Sequence, residues 1–140
     1  MMNAVSDADT AWIELRSRCT IYRVFEDFYC LAKASVACAN KIAQNADRFF
    51  MDDTLMQEHH QFDVGGQSIE SRGRVDLAPR TTFRIDGNRI TIDQNIVVTR
   101  EWDAFEEKCH LRVSIDGKED ARQYTAAKVV QTALEPLFFG

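Results

Sequence analysis

Apolar or small residues recur at alternating steps of four and three through residues 20–50, and this spacing predicts a long helix with one buried face. The opposite face carries charged residues such as Arg23, Asp27 and Lys33, as expected for a surface that meets solvent. The members of the apolar row are Ile21, Phe25, Phe28, Ala32, Ser35, Ala39, Ile42, Ala46 and Phe49.

A shorter apolar turn precedes this row. Trp12 and Ile13 indicate that helical structure begins near residue 8. The pattern leaves two arrangements open, a single helix over residues 8–50 or two helices joined near Ser17–Thr20. In either case we expect residues 8–52 to be helical.

The period changes to two after residue 66, and a period of two is typical of half-buried strands. Residues 69–77 alternate strictly, which predicts the first strand. Asp86–Arg89 contains a glycine at the centre of a tight hairpin signal. The core-facing positions of the later strands are Phe83, Ile85, Ile90, Ile92, Ile96, Val98, Cys109, Leu111, Val113 and Ile115. The sequence therefore predicts four or five antiparallel strands, in a meander over residues 67–115.

The last hairpin of this meander has a register that the sequence predicts on both faces. If Ala104–Phe105 forms its tip, Val98 faces Leu111 on the apolar side. The same register sets Glu101 opposite Lys108 on the polar side, which is a favourable cross-strand pair.

The acidic pair Glu119–Asp120 predicts the start of a final helix over residues 119–138, because acidic side chains complement the helix dipole at that end. Its apolar stripe consists of Tyr124, Ala127, Val130, Leu134 and Leu137. Since the helices are the only elements available to cover the apolar sheet face, we expect an α+β fold. The predicted architecture is a two-layer sandwich in a single domain over residues 1–140.

Composition narrows the class of protein. The 140 residues carry 28% charged side chains and a net charge of −5, which argues against nucleic acid as a partner because such proteins present a positive surface. No apolar run approaches the ~18–20 residues that cross a bilayer, so no membrane association is predicted. The first residues lack the basic and apolar regions of a signal peptide, so we expect a cytoplasmic protein.

The chain contains four cysteines, and none forms a Cys-x-x-Cys pair. We expect all four to be reduced, as is usual in the cytoplasm, with the more buried ones acting as small core residues. The four are Cys19, Cys30, Cys38 and Cys109.

Glu58, His59 and His60 form the first candidate for chemistry. Adjacent histidines diverge on a helix or a strand, so at most one of them can join a given site. The spacings His-Glu-x-x-His and His-x-x-Glu-His are both absent. We therefore predict a polar loop that ends the helix, with a metal site as the alternative.

Basic residues alternate along the outer face of the predicted sheet and form the second candidate. Such a face could bind a carboxylate or phosphate through bidentate bonds. Acidic residues such as Glu101 interleave with them, so a charge-paired surface is the first interpretation and an anion site the second. The basic residues are Arg72, Arg74, Arg84, Arg89, His110 and Arg112.

The sequence gives no catalytic motif. Cys109 adjoins His110, but neighbouring side chains on a strand leave opposite faces and cannot form a catalytic dyad. A phosphate-binding loop and a Gly-x-Ser-x-Gly elbow are both absent from the sequence. We therefore predict neither an enzymatic activity nor a cofactor.

Large apolar residues exceed what one helix face and one sheet face need, and an exposed surplus usually marks a partner or ligand site. We predict a non-enzymatic interaction module that forms a homodimer, with a protein partner or small apolar ligand also possible at this surface. The alternative is a ligand-binding or enzymatic pocket between sheet and helices, with polarity from His110, Arg112 or Glu58. The apolar candidates for partner contact are Trp102, Phe105 and Phe138.

Overall fold

The computed structural model describes residues 4–67, 70–71, 74–75 and 79–140, with residues 70, 71, 74 and 75 described by their backbone alone. The helices are α1 (Asp7–Ser17), α2 (Ile21–Ala43), α3 (Met56–His59) and α4 (Ala126–Phe139). The strands are β1 (Phe49–Asp52), β2 (Gln61–Gly66), β3 (Glu70–Ser71), β4 (Arg74–Val75), β5 (Arg80–Asp86), β6 (Arg89–Ile92), β7 (Ile96–Asp103), β8 (Lys108–Ile115) and β9 (Lys118–Tyr124).

Seven of the described strands form one antiparallel sheet in the order β1-β2-β5-β6-β7-β8-β9. Strands β3 and β4 pair with each other in a separate two-stranded sheet. The α+β class and the antiparallel sheet are confirmed. The prediction of four or five strands is wrong, and the details of the predicted sandwich differ accordingly.

The core lies where the central strands meet α2 and α4, and aromatic side chains fill it. Phe62 on β2 lies opposite Phe83 on β5, and their rings stack at a centroid distance of 4.6 Å. From the helical side, Phe25 lies 5.3 Å from Phe62, and Phe28 lies 6.4 Å from Phe83, between ring centroids. Burial of several such rings supplies much of the driving force for folding.

The N-terminal helical region consists of two helices, which is one of the two arrangements that the sequence left open. Helix α1 ends at Ser17, and α2 begins at Ile21 after a new N-terminal cap, since the Thr20 hydroxyl accepts a hydrogen bond from the Arg23 amide. A capped start satisfies an amide that has no partner within the helix. Two helices therefore replace the single long helix.

The predicted apolar row of α2 is confirmed in its first half only. Phe25, Phe28 and Ala32 are buried, but Ile42 is 74% exposed. The helix ends at Ala43, because Gln44 adopts a left-handed φ of 55°. The later members of the row, Ala46 and Phe49, therefore lie outside the helix.

Two strands occupy sequence that was not expected to contain them. Strand β1 lies inside residues 8–52, which we predicted to be helical, and β2 precedes the predicted start of the sheet at residue 67. Asn40 holds β1 against the end of α2: its side chain accepts from the Phe49 amide at 2.8 Å and donates to the Phe49 carbonyl at 3.0 Å. This clamp turns the chain from helix into strand.

The predicted continuous strand over residues 69–77 is wrong. Glu70 pairs with Val75 and Ser71 pairs with Arg74, so these residues belong to two antiparallel strands. The remaining residues of this prediction lie outside the described residues.

The predicted final helix begins seven residues late. Lys118–Tyr124 forms strand β9, which a two-residue turn containing Gly117 joins to β8. Helix α4 begins after Thr125, whose hydroxyl accepts a hydrogen bond from the Lys128 amide at 3.1 Å. The acidic residues predicted to start the helix, Glu119–Asp120, therefore lie in a strand.

The register of the β7–β8 hairpin differs from the prediction by two residues. Val98 pairs with Val113, not Leu111, and Glu101 lies opposite His110, not Lys108. A shift of two leaves every side chain on its predicted face, because successive residues alternate between faces.

Cys19 and Cys109 form a disulfide, so the prediction that all four cysteines are reduced is wrong for these two. The junction between α1 and α2 lies against the inner face of β8, which brings the two Cα atoms to 5.4 Å, within the usual range for a disulfide. The other two cysteines, Cys30 and Cys38, are free and exposed.

Candidate functional site

An apolar groove of about 310 Å³ runs between the outer surfaces of α2 and α4. Small residues of α2, among them Ser35 and Ala39, help to line it. Two large side chains stand beside it in solvent, Ile42 at 74% exposure and Phe139 at 79%. An apolar depression flanked by exposed apolar side chains is typical of a contact surface.

The residues along both walls of the groove follow a helical repeat. Leu31, Ser35, Cys38 and Ile42 on α2, and Ala127, Gln131, Leu134 and Phe138 on α4, are spaced by four, three and four. This spacing aligns each row along one side of its helix, as in helices that pack against a further helix. The groove therefore follows one side of each of the two helices, which also contact each other.

Phe138, a predicted partner-contact residue, has a double role. It lines the groove, but its ring also packs against Phe49 of β1 at a centroid distance of 4.7 Å. It is half-buried, so it supports the fold as well as the surface.

The other two predicted apolar contacts do not line the groove and lie on the β7–β8 hairpin. Phe105 is fully exposed at the hairpin tip. Trp102 is half-buried on the inner face opposite Cys109, and the Arg16 guanidinium of α1 lies 5.9 Å from its ring centroid. The structure thus divides the predicted apolar contacts between two separate regions.

An open cavity of about 910 Å³ lies over the last strands of the sheet, and His110 and Arg112 help to line it. The charge of Arg112 is already compensated there: its Nη1 lies 3.0 Å from Glu101 and its Nε 3.0 Å from Glu119. This arrangement favours the charge-paired interpretation of the outer face over the anion site.

Arg84 lies apart from this cavity, in a depression of about 300 Å³ with Thr82 and Asp93. The predictions for Arg72 and for the side chain of Arg74 lie outside the described residues. Of the predicted arginines whose side chains the structure describes, Arg84 and Arg112 therefore line different depressions.

A second polar cluster lies on β9 and consists of Asp120, Arg122 and Tyr124. Arg122 and the Tyr124 hydroxyl donate to the Asp120 carboxylate, with the tyrosine at 2.8 Å. These donors, Arg122 first, lower the pKa of Asp120 far below its usual value. The same hydrogen bond raises the pKa of Tyr124, because the proton stays on the phenol.

His110 has two acidic neighbours that the sequence did not reveal. One ligand atom each from Asp103, Glu106 and His110 lies within 4.8 Å of the other two. Asp103 and His110 are half-buried, and Glu106 is exposed. The predicted register hid this arrangement, because it placed the hairpin tip one residue too early and shifted each strand partner by two.

Glu58, His59 and His60 lie at and just after the single turn of α3. His60 has a left-handed φ of 48°, and its ring lies 5.1 Å from that of Tyr22. Within the described part of the chain, none of these three residues belongs to a group of side chains close enough together to hold a metal ion.

No family model matches the sequence, and comparison with curated proteins and with solved structures finds no significant similarity. Among the helices that the structure describes, none combines the length and hydrophobicity needed to cross a lipid bilayer.

Proposed function

We propose that this protein is a non-enzymatic interaction module, and that a second copy of the chain docks on the groove between α2 and α4. The observation that carries the proposal is the apolar groove with Ile42 and Phe139 exposed beside it. Removal of such side chains from water on association contributes roughly 25 cal/mol for each Å² of apolar surface buried.

Self-association is supported because the surface carries both a depression and the projections that would fill one. The small residues Ser35, Cys38 and Ala39 of α2 line the depression, while the larger Ile42 and Phe139 are exposed beside it. In a two-fold pair each copy presents the same patch, so the projections of each would fill the depression of the other. A surface with a depression but no exposed apolar side chains, or the reverse, would instead need a partner of complementary shape.

The dimensions of α2 also support this pairing. The helix has 23 residues and therefore spans about 34 Å at 1.5 Å per residue. Its groove-facing row, from Leu31 to Ile42, covers three helical turns. An antiparallel contact of two such helices, joined by α4 from each copy, forms a four-helix layer with the sheets outside.

Sedimentation velocity of the purified chain, at concentrations from about 1 to 100 µM, tests the proposal. Wild type is expected at twice the mass of one chain, and Ile42→Asp at the mass of one chain, because a buried aspartate without a partner opposes the contact. Phe105→Asp is the matched control, since it places the same charge at a fully exposed position outside the groove. Circular dichroism checks that each variant is folded.

Two results would overturn the proposal. One is a wild-type chain that is monomeric at all of these concentrations. The other is a dimer that Ile42→Asp and Phe105→Asp weaken equally. Phe138→Asp is a poorer test, because loss of the contact with Phe49 would also disturb the core.

The disulfide bears on the predicted location. Disulfides persist in oxidising compartments and are rare in the reducing cytoplasm. The Cys19–Cys109 bond therefore favours an oxidising compartment over the cytoplasm that the sequence predicts. Thiol quantification on protein taken directly from its source decides between them: two free thiols per chain support the disulfide, and four support the cytoplasm.

A further inference from the structure

We propose that Asp103, Glu106 and His110 bind one divalent transition-metal ion of the zinc type at the tip of the β7–β8 hairpin. Their ligand atoms lie within 4.8 Å of one another. In a tetrahedral zinc site, ligand atoms about 2.0–2.2 Å from the metal lie roughly 3.4 Å apart. Small rotations of the side chains would close the remaining gap around an ion.

The backbone of the hairpin holds one of these ligands in place. Asp103 Oδ1 accepts hydrogen bonds from the amides of Phe105 at 3.0 Å and Glu106 at 3.1 Å. These bonds fix the carboxylate and leave Oδ2 with lone pairs for a metal. His110 projects from the same polar face, because it lies two residues beyond Lys108, the strand partner of Asp103.

The carboxylates at the tip form no ion pair within the described residues, in contrast to those on the neighbouring face, although Lys108 is the strand partner of Asp103. Among the described residues, no lysine, arginine or histidine nitrogen forms an ion pair with Asp103 or Glu106. Glu101 and Glu119 share Arg112, and Asp120 is paired with Arg122. A bound dication would give these two carboxylates a charged partner.

The donor set selects the class of metal. Calcium and magnesium prefer oxygen ligands alone, whereas an imidazole suits zinc and its first-row neighbours. Two carboxylates and one imidazole provide three protein ligands. Since Asp103 and His110 also line the 910 Å³ cavity, the remaining coordination positions face open space and would hold water.

Isothermal titration calorimetry of the 140-residue chain with zinc chloride tests the site. Wild type is expected to bind one equivalent per chain, and His110→Ala and Asp103→Asn to bind at least about tenfold more weakly. Asp103→Asn is the sharper variant, because its amide oxygen still accepts the two backbone bonds while the negative charge is lost. His59→Ala is the control, since it removes an exposed histidine outside the cluster.

A second readout separates binding from folding. Zinc at a concentration that saturates wild type should raise the thermal midpoint of wild type and of His59→Ala by the same amount, and that of Asp103→Asn by less, because the stabilisation depends on the affinity of the native state for the ion. Absence of binding by wild type up to about 100 µM zinc would overturn the proposal. Equal binding by wild type, His110→Ala and Asp103→Asn would overturn it as well, since the ion would then bind elsewhere.

Discussion

Cys19 and Cys109 are 90 residues apart in the sequence, and the bond between their sulfurs ties the junction of α1 and α2 to strand β8. Helix α1 depends on this bond, because none of its own side chains is buried. Two further contacts join this region to the β7–β8 hairpin. Close to the disulfide, Arg100 donates to the Cys19 carbonyl at 3.3 Å, and Arg16 lies over Trp102.

Replacement of both bonded cysteines by alanine is expected to lower the free energy of unfolding by about 4 kcal/mol, since the cross-link restricts a long loop in the unfolded chain. Urea denaturation of wild type and of the Cys19→Ala, Cys109→Ala double variant measures the loss. The single variant Cys30→Ala is the control, because it removes an exposed free thiol. Equal stability of all three proteins would contradict the prediction.

The two free thiols should react at different rates if the chain dimerises. Cys30 and Cys38 are both exposed on α2, but only Cys38 lines the groove with α4. In the dimer we expect a maleimide to label Cys30 quickly and Cys38 slowly, because the second copy covers Cys38. Peptide mass mapping after short labelling times gives both rates in one sample.

The Ile42→Asp variant provides the control for this labelling. Cys38 should become as reactive as Cys30 when the chain is monomeric. Protection of Cys38 that persists in monomeric Ile42→Asp would show that a feature within one chain covers the thiol.

Gly65 leaves space for an aromatic ring from the neighbouring strand. A Cβ atom at this position would lie 2.5 Å from Cζ of Phe50, whose ring is also covered by the Arg80 guanidinium at 5.5 Å. Gly65→Ala is therefore expected to lower the free energy of unfolding by about 1–2 kcal/mol through overpacking.

Gly66→Ala is the neighbouring control, since its new Cβ would meet the nearest atom, in Pro79, at an ordinary 3.6 Å. The penalty at Gly65 should disappear in a Phe50→Ala background, which chemical denaturation of the four proteins in a double-mutant cycle measures. A penalty of the same size without the Phe50 ring would locate the strain in the backbone.

Asp120 should make the stability depend on pH. Its pKa in the folded state is depressed below the ordinary value of 3.8, chiefly by Arg122. The stabilisation is thus present above the unfolded-state pKa and is lost as the pH falls below about 4 towards the folded value. Asp120→Asn should be less stable than wild type at pH 7, and the difference should shrink by pH 3.

Urea denaturation at pH 7, 5 and 3 measures this convergence. Asp47→Asn is the comparison variant, because Asp47 is exposed and has no ion pair among the described residues. A difference between wild type and Asp120→Asn that is constant with pH would show that the ion pair does not cause it.

Periodicity predicted the elements whose buried faces are regular. The hairpin at Gly87 and the buried first half of α2 follow directly from spacing. The same periodicity misled beyond Ala43, because Ala46 and Phe49 continue the helical spacing by coincidence. Nothing in the spacing marks the left-handed residue at Gln44 or the clamp that Asn40 forms around Phe49.

The missed parts of the candidate sites depend on contacts between distant or irregular segments. The tip of the β7–β8 hairpin has four residues between the strands. Its last residue, Glu107, has a left-handed φ of 54°, and a glutamate in a sequence does not indicate this conformation as a glycine would. The correct register brings Asp103 and Glu106 to His110. The groove was equally hard to predict, since α4 begins later than expected and the α2 residues that line the groove lie 96 residues before those of α4, as Leu31 and Ala127 show.

Strand β9 escaped prediction because its residues are mostly charged or polar, and this property has a consequence for the whole sheet. In the strand order β9 is an outermost strand, so one row of its backbone donors and acceptors has no partner strand within the described sheet. Exposed rows of this kind invite other chains to add as further strands, and charged side chains discourage such addition. Lys118, Glu119, Asp120 and Arg122 therefore protect the protein against aggregation at this edge.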